Sequence, residues 1–400
     1  MNNETRKETQ VLPKDVRYVG ADDLTLPLFE NQYPVQPMGV SYNSYLILDE
    51  KVAVMDSVDA RAADEWLAQL AHETDGGRPD HLVISPMEPD PSGSILRLAE
   101  KYQEMQLVGN AKTFTMLRQF FGAKAPTDDR LLGVGEGETL PLGAHTLHFM
   151  LAPMVHWPEV MVAYEETEKL LFSADAFGRF GSLGRTAAAP WAPQARRYYY
   201  NIVGKYGAQV QALLKKASAL EIKTVCPLHG PVLTGEALGE ALRLYDLWSR
   251  WQSESPDDIL LAHASIHGNT ARAAELLKQK LEAKGARVTL CDLTTTEVSY
   301  AVANAFYCGK LVLACSTYDG GLFPPMEEFL SHLQAKGFRD RSVGLMENGS
   351  WAPAAARLMR AKLEEMKDLR VCGTVVSLRS ALSPASEAQM DALTTELCAE

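Results

Sequence analysis

The chain is 400 residues long, 46% hydrophobic and 22% charged, which suits a globular protein of two domains better than one ordinary core. Its formal charge of -12 argues against nucleic acid or an anionic membrane as partner, since both attract basic surfaces. The cysteines, Cys226, Cys291, Cys308, Cys315, Cys372 and Cys398, include no CxxC pair, which fits reduced thiols in a cytoplasm and gives neither a zinc ribbon nor a rubredoxin-type iron site.

Residues 1–15 read as a polar tail. "MNNETRKETQ" lacks the apolar core of a signal peptide, and no run approaches the roughly 20 apolar residues that cross a bilayer. A cytoplasmic protein, off the membrane, is expected. Residues 16–252 carry short β-like runs. "YLILDEKVAVMDS" reads as a hairpin, and "LHFMLAP", "VMVAY" and "KLLFSAD" as strands, with helical "SILRLAEKYQ" and "KTFTMLRQFF" between. Such a mixture predicts stacked layers of sheet and helix. Amphipathic "GEALRLYDLWSRW" ends this half, and "QSESPDD" has linker composition.

Four stretches of this half carry metal-ligand residue types. "ISPMEPDPSGS" sets Glu88 and Asp90 in one turn, between Pro86 and Pro91. "MVHWPE" puts His156 in a loop between strand runs, and "FSADAFG" puts Asp175 at a strand end after a gap of eighteen residues. "CPLHGPV" puts His229 at another strand exit. Each residue alone reads as structural. Together they are five donors at strand ends, where a rigid sheet can aim them at one point.

Residues 253–400 alternate regularly. Strand-like "ILLAHAS", "RVTLCDL", "KLVLACS", "RSVGLME" and "RVCGTVVSL" are each followed by a helical run. Parallel strands need crossover helices, so the pattern predicts a doubly wound, five-stranded parallel sheet. Ligands of such sheets bind at the carboxyl ends of the strands. The first loop there, Ser265, Ile266, His267, Gly268, Asn269 and Thr270, offers hydroxyls, a glycine and a helix N-terminus, the makings of an anion site. It has no P-loop lysine and no GxGxxG, so a monophosphate fits best. The second loop, Ser316, Thr317, Tyr318, Asp319, Gly320 and Gly321, adds an aromatic face. The third, Glu347, Asn348, Gly349, Ser350 and Trp351, adds another. A phosphate site with two aromatic-bearing loops suits FMN.

The second half resembles the flavodoxins, whose phosphate loop has the same Ser/Thr-rich pattern with a glycine and a closing threonine. His267 stands where related proteins often have tyrosine, and Asp319 where many have asparagine. Asp319 is expected to disfavour the anionic reduced ring and so to tune its potential. From about Val16 onward the chain resembles the flavodiiron proteins (A-type flavoproteins), and "GVSYNSYLILDEK" and "ENGSWAP" are further family-like stretches. The resemblance implies an α/β chain: a metallo-β-lactamase-like αββα sandwich, residues 16–252, then a flavodoxin-like domain, residues 253–400.

In that family the first ligand stretch reads H-x-E-x-D-H, and two irons share a bridging aspartate. The resemblance therefore implies Glu88, His156 and Asp175 at one metal, and Asp90, His229 and Asp175 at the other. Both histidines of the motif are proline here, Pro86 and Pro91, so each metal loses an imidazole. At roughly 3 kcal/mol per ligand this weakens each site on the order of a hundredfold. Water fills the gap and iron binds weakly, or manganese or magnesium suits the oxygen-rich remnant better, or the turn holds no metal.

Members of the family pass electrons through FMN to the diiron centre and reduce dioxygen or nitric oxide. The resemblance implies an external donor, such as a rubredoxin or a flavin reductase, and a head-to-tail homodimer or dimer of dimers. The alternative is a flavin-only electron carrier or flavin-dependent reductase, with the first domain a metal-free dimerisation scaffold. A metallo-β-lactamase-type hydrolase needs H-x-H-x-D-H and is disfavoured. The sequence assigns no catalytic residue.

Overall fold

The computed structural model describes residues 11–399; residues 1–10, most of the polar tail, and residue 400 lie outside the described residues. Two compact units meet between Asp246 and Leu247, inside the helix Gly235–Ser249.

The first unit holds two six-stranded sheets. In one, Tyr45–Ile47 and Ala53–Met55 pair antiparallel with Leu46 opposite Val54, and His81–Val83 and Gln106–Gly109 extend the sheet in parallel. In the other, Thr146–Leu151, Met161–Glu165 and Leu170–Phe172 form a meander joined in parallel by Thr224–Cys226. Side chains alternate across a strand, so Tyr45, Ile47, Met55, Val83 and Val108 pack from one sheet against Leu147, Phe149, Met161, Ala163 and Phe172 from the other. Leu46, Val54, Leu82 and Leu107 are also fully buried, on the opposite face, which calls for a helical layer on that side. Helix Ala63–Glu73 buries Trp66 and Leu70, and Ala111–Phe121, capped by Asn110 on the N–H groups of Lys112 and Thr113, buries Phe114 and Leu117. The result is the αββα sandwich.

In the second unit the sheet runs Val288–Asp292, Ser255–Ala264, Cys308–Tyr318, Arg341–Asn348, Leu369–Leu378, all parallel. The order, second-first-third-fourth-fifth in chain numbering, is that of a flavodoxin-like sheet, with its switch point between the first and third strands. The first strand begins at Ser255, inside the stretch with linker composition. A register irregularity between Ser255 and Ile259 accommodates Pro256, which has no N–H to give a ladder.

Candidate functional site

A cleft of about 530 Å³ opens at the carboxyl ends of the second unit's strands. Ser265, Ile266, His267, Asn269 and Thr270 line one side. Gly268 is not in the lining but makes the turn possible: its φ of +86° is left-handed, and it starts the helix Asn269–Ala283. Its N–H donates to Ser265 Oγ at 3.1 Å. The first N–H groups of that helix have no intrahelical partner and favour an anion. Thr270 is buried, and its hydroxyl bonds Ser316 Oγ (2.9 Å) and Asn348 Nδ2 (3.2 Å). It ties three loops together as well as facing the cleft.

Ser316, Thr317, Tyr318, Asp319 and Gly320 form the next wall. Strand Cys308–Tyr318 folds back on Gly321–Leu322 through a two-residue turn, with Tyr318 opposite Gly321. Asp319 and Gly320 both have positive φ, +48° and +75°, the type I′ geometry that selects Asp-Gly. Gly321 belongs to the returning strand and does not line the cleft. Tyr318 is 44% exposed and Trp351 88% exposed, so both rings have a face for a planar ligand. Asn348, Gly349, Ser350 and Ala352 accompany Trp351. Glu347 stands outside: its carboxylate accepts from the Ala356 N–H and the Ser377 hydroxyl. Sequence reasoning missed Ser380, which lines the cleft after the fifth strand and bonds Ser350 Oγ at 2.8 Å. The strand-end rule applied to "SLRSALSP" was the signal for it. A helix N-terminus for one phosphate and two exposed aromatic faces for a flat ring fit FMN.

The first unit gathers the other candidates. Glu88 precedes the short helix Pro89–Ser92, and Asp90 lies in its first turn. Ser57 Oγ donates to the Pro91 carbonyl (2.6 Å), Ser92 Oγ to that of Met87 (2.9 Å), and the Met87 N–H to Glu159 Oε1 (2.8 Å). Those bonds hold the acidic turn still. His156 Nε2 is 2.8 Å from Glu88 Oε2 and 4.0 Å from Asp175 Oδ2. His229 Nε2 is 3.2 Å from Asp90 Oδ2 and 3.9 Å from Asp175 Oδ1. Asp175 is the shared element, and the Tyr198 hydroxyl donates to its Oδ1 at 3.0 Å. All five donors therefore converge on one corner.

The corner is short of positive charge. Burial pushes the Glu88 carboxyl up to about 8, against the pull of His156. Burial by itself lowers His156, but the Glu88 hydrogen bond and the Asp175 carboxylate hold it up at about 9. Asp175 is raised, burial outweighing the two imidazoles. His229 donates from Nδ1 to the Ser41 carbonyl at 2.7 Å, which in the neutral ring leaves the Nε2 lone pair facing Asp90 and Asp175. Neither Asp90 oxygen, nor Asp175 Oδ2, nor His229 Nε2 has a hydrogen-bond partner. Buried acceptors facing acceptors are costly unless a proton or a cation lies between them.

The family's dinuclear iron set does not fit this corner as it stands. Positions 86 and 91 are buried prolines, which offer no donor, and the other histidines do not replace them. His145 pairs with Asp49 at 2.8 Å and His148 with Glu166 at 2.8 Å, while His81 is buried in the strand beside Ala53. Sequence reasoning missed one donor here. Glu30, in the turn between Leu28–Phe29 and Tyr33–Pro34, brings a carboxylate oxygen to Glu88 and His156, the three ligand atoms lying within 4.8 Å of one another. Nothing local in "LFENQYP" signals it; only the fold brings that turn to the corner.

Residues 40–230 match the family model described as ODP family beta lactamase. A nitric oxide reductase of Moorella thermoacetica is 26% identical over 88% of this chain and 88% of its own. A rubredoxin-oxygen oxidoreductase of Megalodesulfovibrio gigas is 26% identical over 87% of each chain. Among solved structures, a flavodiiron protein from Giardia intestinalis superposes with a TM-score of 0.88 at 24% identity, over 98% of this chain and 97% of that one. That likeness is one of fold. With the sandwich and the second-first-third-fourth-fifth sheet, these matches make the chain similar in sequence to those reductases and in fold to the flavodiiron protein.

Proposed function

We propose that the protein is an FMN-dependent oxidoreductase of the flavodiiron type. Its electrons come from an external donor such as a rubredoxin or a flavin reductase. Residues 16–252 and 253–400 act as its two working halves, in a head-to-tail homodimer or dimer of dimers. The observation that carries this is the strand-end cleft, with a phosphate-sized turn at one end and two exposed aromatic rings at the other. The names of the relatives, nitric oxide reductase and rubredoxin-oxygen oxidoreductase, support nitric oxide or dioxygen as acceptor.

Bound in the cleft, FMN would supply one- and two-electron transfer. The chain's own part is binding and tuning. The helix start at Asn269 and the Ser265 hydroxyl hold the phosphate. Thr270, through Ser316 and Asn348, locks the loops that carry Tyr318 and Trp351, so the rings meet the flavin without a large ordering cost. Asp319 sets a negative charge at the ring's edge. No step is assigned to paired irons.

The test is Gly268→Val. A β-branched residue is strained at positive φ, so the turn must rearrange and the protein is expected to purify colourless, against about one flavin per chain in the wild type. Glu347→Gln, outside the lining, should stay yellow. A yellow Gly268→Val protein overturns the assignment of the phosphate site. A second reading, electron transfer by flavin alone, is favoured by the donorless prolines at 86 and 91. It expects no divalent cation per chain after metal loading.

A further inference from the structure

The corner has a buried proline at position 86, where the resemblance implies an imidazole, and it has a carboxylate beside it from elsewhere in the chain. Glu30 sits in a left-handed turn, φ +50°, followed by Asn31 at +53°. For residues other than glycine this conformation is uncommon, and Asn is among those that bear it best. The turn carries the Glu30 carboxylate into contact range of Glu88 and His156.

The distances among Glu30, Glu88 and His156 suit one cation, and Asp175 stands just outside that trio. Ligand atoms about 2.2 Å from a divalent ion lie about 3 Å apart when adjacent and at most about 4.4 Å apart when opposite. Glu88 Oε2 and His156 Nε2 are 2.8 Å apart, and Asp175 Oδ2 is 4.0 Å from His156 Nε2. The spread among Glu30, Glu88 and His156 stays within 4.8 Å, a small side-chain adjustment away. A second observation points to the same place. Asp175 Oδ2 is an ionisable oxygen on a side chain only 2% exposed, has no hydrogen-bond partner, and faces this cluster.

We propose that Glu30, Glu88, His156 and Asp175 form a mononuclear site for a hard divalent cation, manganese or ferrous iron, in which Glu30 takes over the donor role that Pro86 cannot fill. Three carboxylates and one imidazole make an oxygen-rich set, which selects such ions over zinc or copper. The cation occupies the place of the proton that Glu88 and His156 share. Asp90 and His229, on the other side of Asp175, remain an imidazole-carboxylate pair. Among the described residues, Glu30, Glu88 and His156 are the only three metal-ligand side chains gathered this closely.

The proposal rests on the first unit alone, so flavin content in the same sample reports separately on the FMN assignment. The experiment is a titration of chelator-stripped, flavin-loaded full chain with Mn(II), free ion being read from its EPR signal. One Mn(II) per chain is expected. Glu30→Gln, at an exposed turn, should weaken binding about a hundredfold, the loss of one ligand, while Glu166→Gln, in the His148 pair outside the corner, leaves it unchanged. Unweakened binding in Glu30→Gln, no saturable uptake by the wild type, or two equivalents that both require Asp90 would each overturn it.

Discussion

The cleft and the metal corner occupy the same kind of position, the carboxyl ends of strands, yet they depart differently from the pattern that the sequence suggests. The cleft's phosphate end is built mostly by backbone: a left-handed Gly268, a helix start and an Asp-Gly turn. His267 and Asp319 can stand there because an anion at this end would be held by N–H groups that every residue has. The corner is built by side chains, and a proline at 86 or 91 supplies no ligand to it. It kept its acids, Glu88, Asp90 and Asp175, and with them an excess of buried negative charge that two histidines only partly offset. A site made of backbone drifts in tuning; one made of side chains changes its chemistry.

The sharpest way to break this comparison is Asp175→Asn. The asparagine still accepts from Tyr198 but removes the charge that both imidazoles and both neighbouring acids contend with. Burial raises the Asp175 pKa, so its ionised form opposes folding above the usual carboxylate range. The metal-stripped variant is therefore expected to melt above wild type at neutral pH, and to take up no cation. Thermal melts with and without Mn(II) read both effects. A variant that melts well below wild type when both are stripped would mean that the acids are held by the histidines without crowding.

Next in size is Asp319→Asn. Removing a carboxylate from the edge of a flavin favours the anionic reduced ring, so the midpoint potential should rise, by on the order of 1 kcal/mol for a charge facing water. Added salt should shrink the difference. A redox titration at two ionic strengths checks it, and an unchanged potential would place the carboxylate away from the ring.

How far these regions were legible in the sequence follows from the same distinction. The βα alternation after residue 258 marks the five parallel strands and their helices, because each element's period is local. The glycine-bearing loops followed from the strand-end rule, and the same rule applied after the last strand reaches Ser380. In the first unit the five donors were visible as residue types, and their convergence on Asp175 is now a matter of distances. Glu30 was not legible. It comes from a two-residue ribbon in the first thirty residues, and no period or spacing links it to Glu88 or His156. The strand beginning at Ser255 was hidden by Pro256, which reads as linker until the register irregularity accommodates it.

A second carboxylate–imidazole pair in the same unit provides the internal control. Asp49 and His145 lie 2.8 Å apart, as Glu88 and His156 do, and both pairs are largely shielded from solvent. Yet Asp49 is held down at about 2 where Glu88 is pushed up to about 8. Burial opposes the charge in both. At Asp49 it is outweighed by the backbone N–H groups of His145 and Glu50 together with the His145 ring, whereas Glu88 has one imidazole and other acids nearby. The depressed group contributes stability that is fully present above the unfolded carboxylate pKa near 4. That contribution is lost as the pH falls from there through about 2. Asp49→Asn should accordingly lower the melting temperature at pH 6 and flatten its decline between about pH 4 and 2. The effect is the smallest of the three, about 0.5 kcal/mol once screening near the surface is allowed for. Parallel slopes for variant and wild type would show that these N–H donors do not hold the charge, and the contrast with the metal corner would then rest on burial alone.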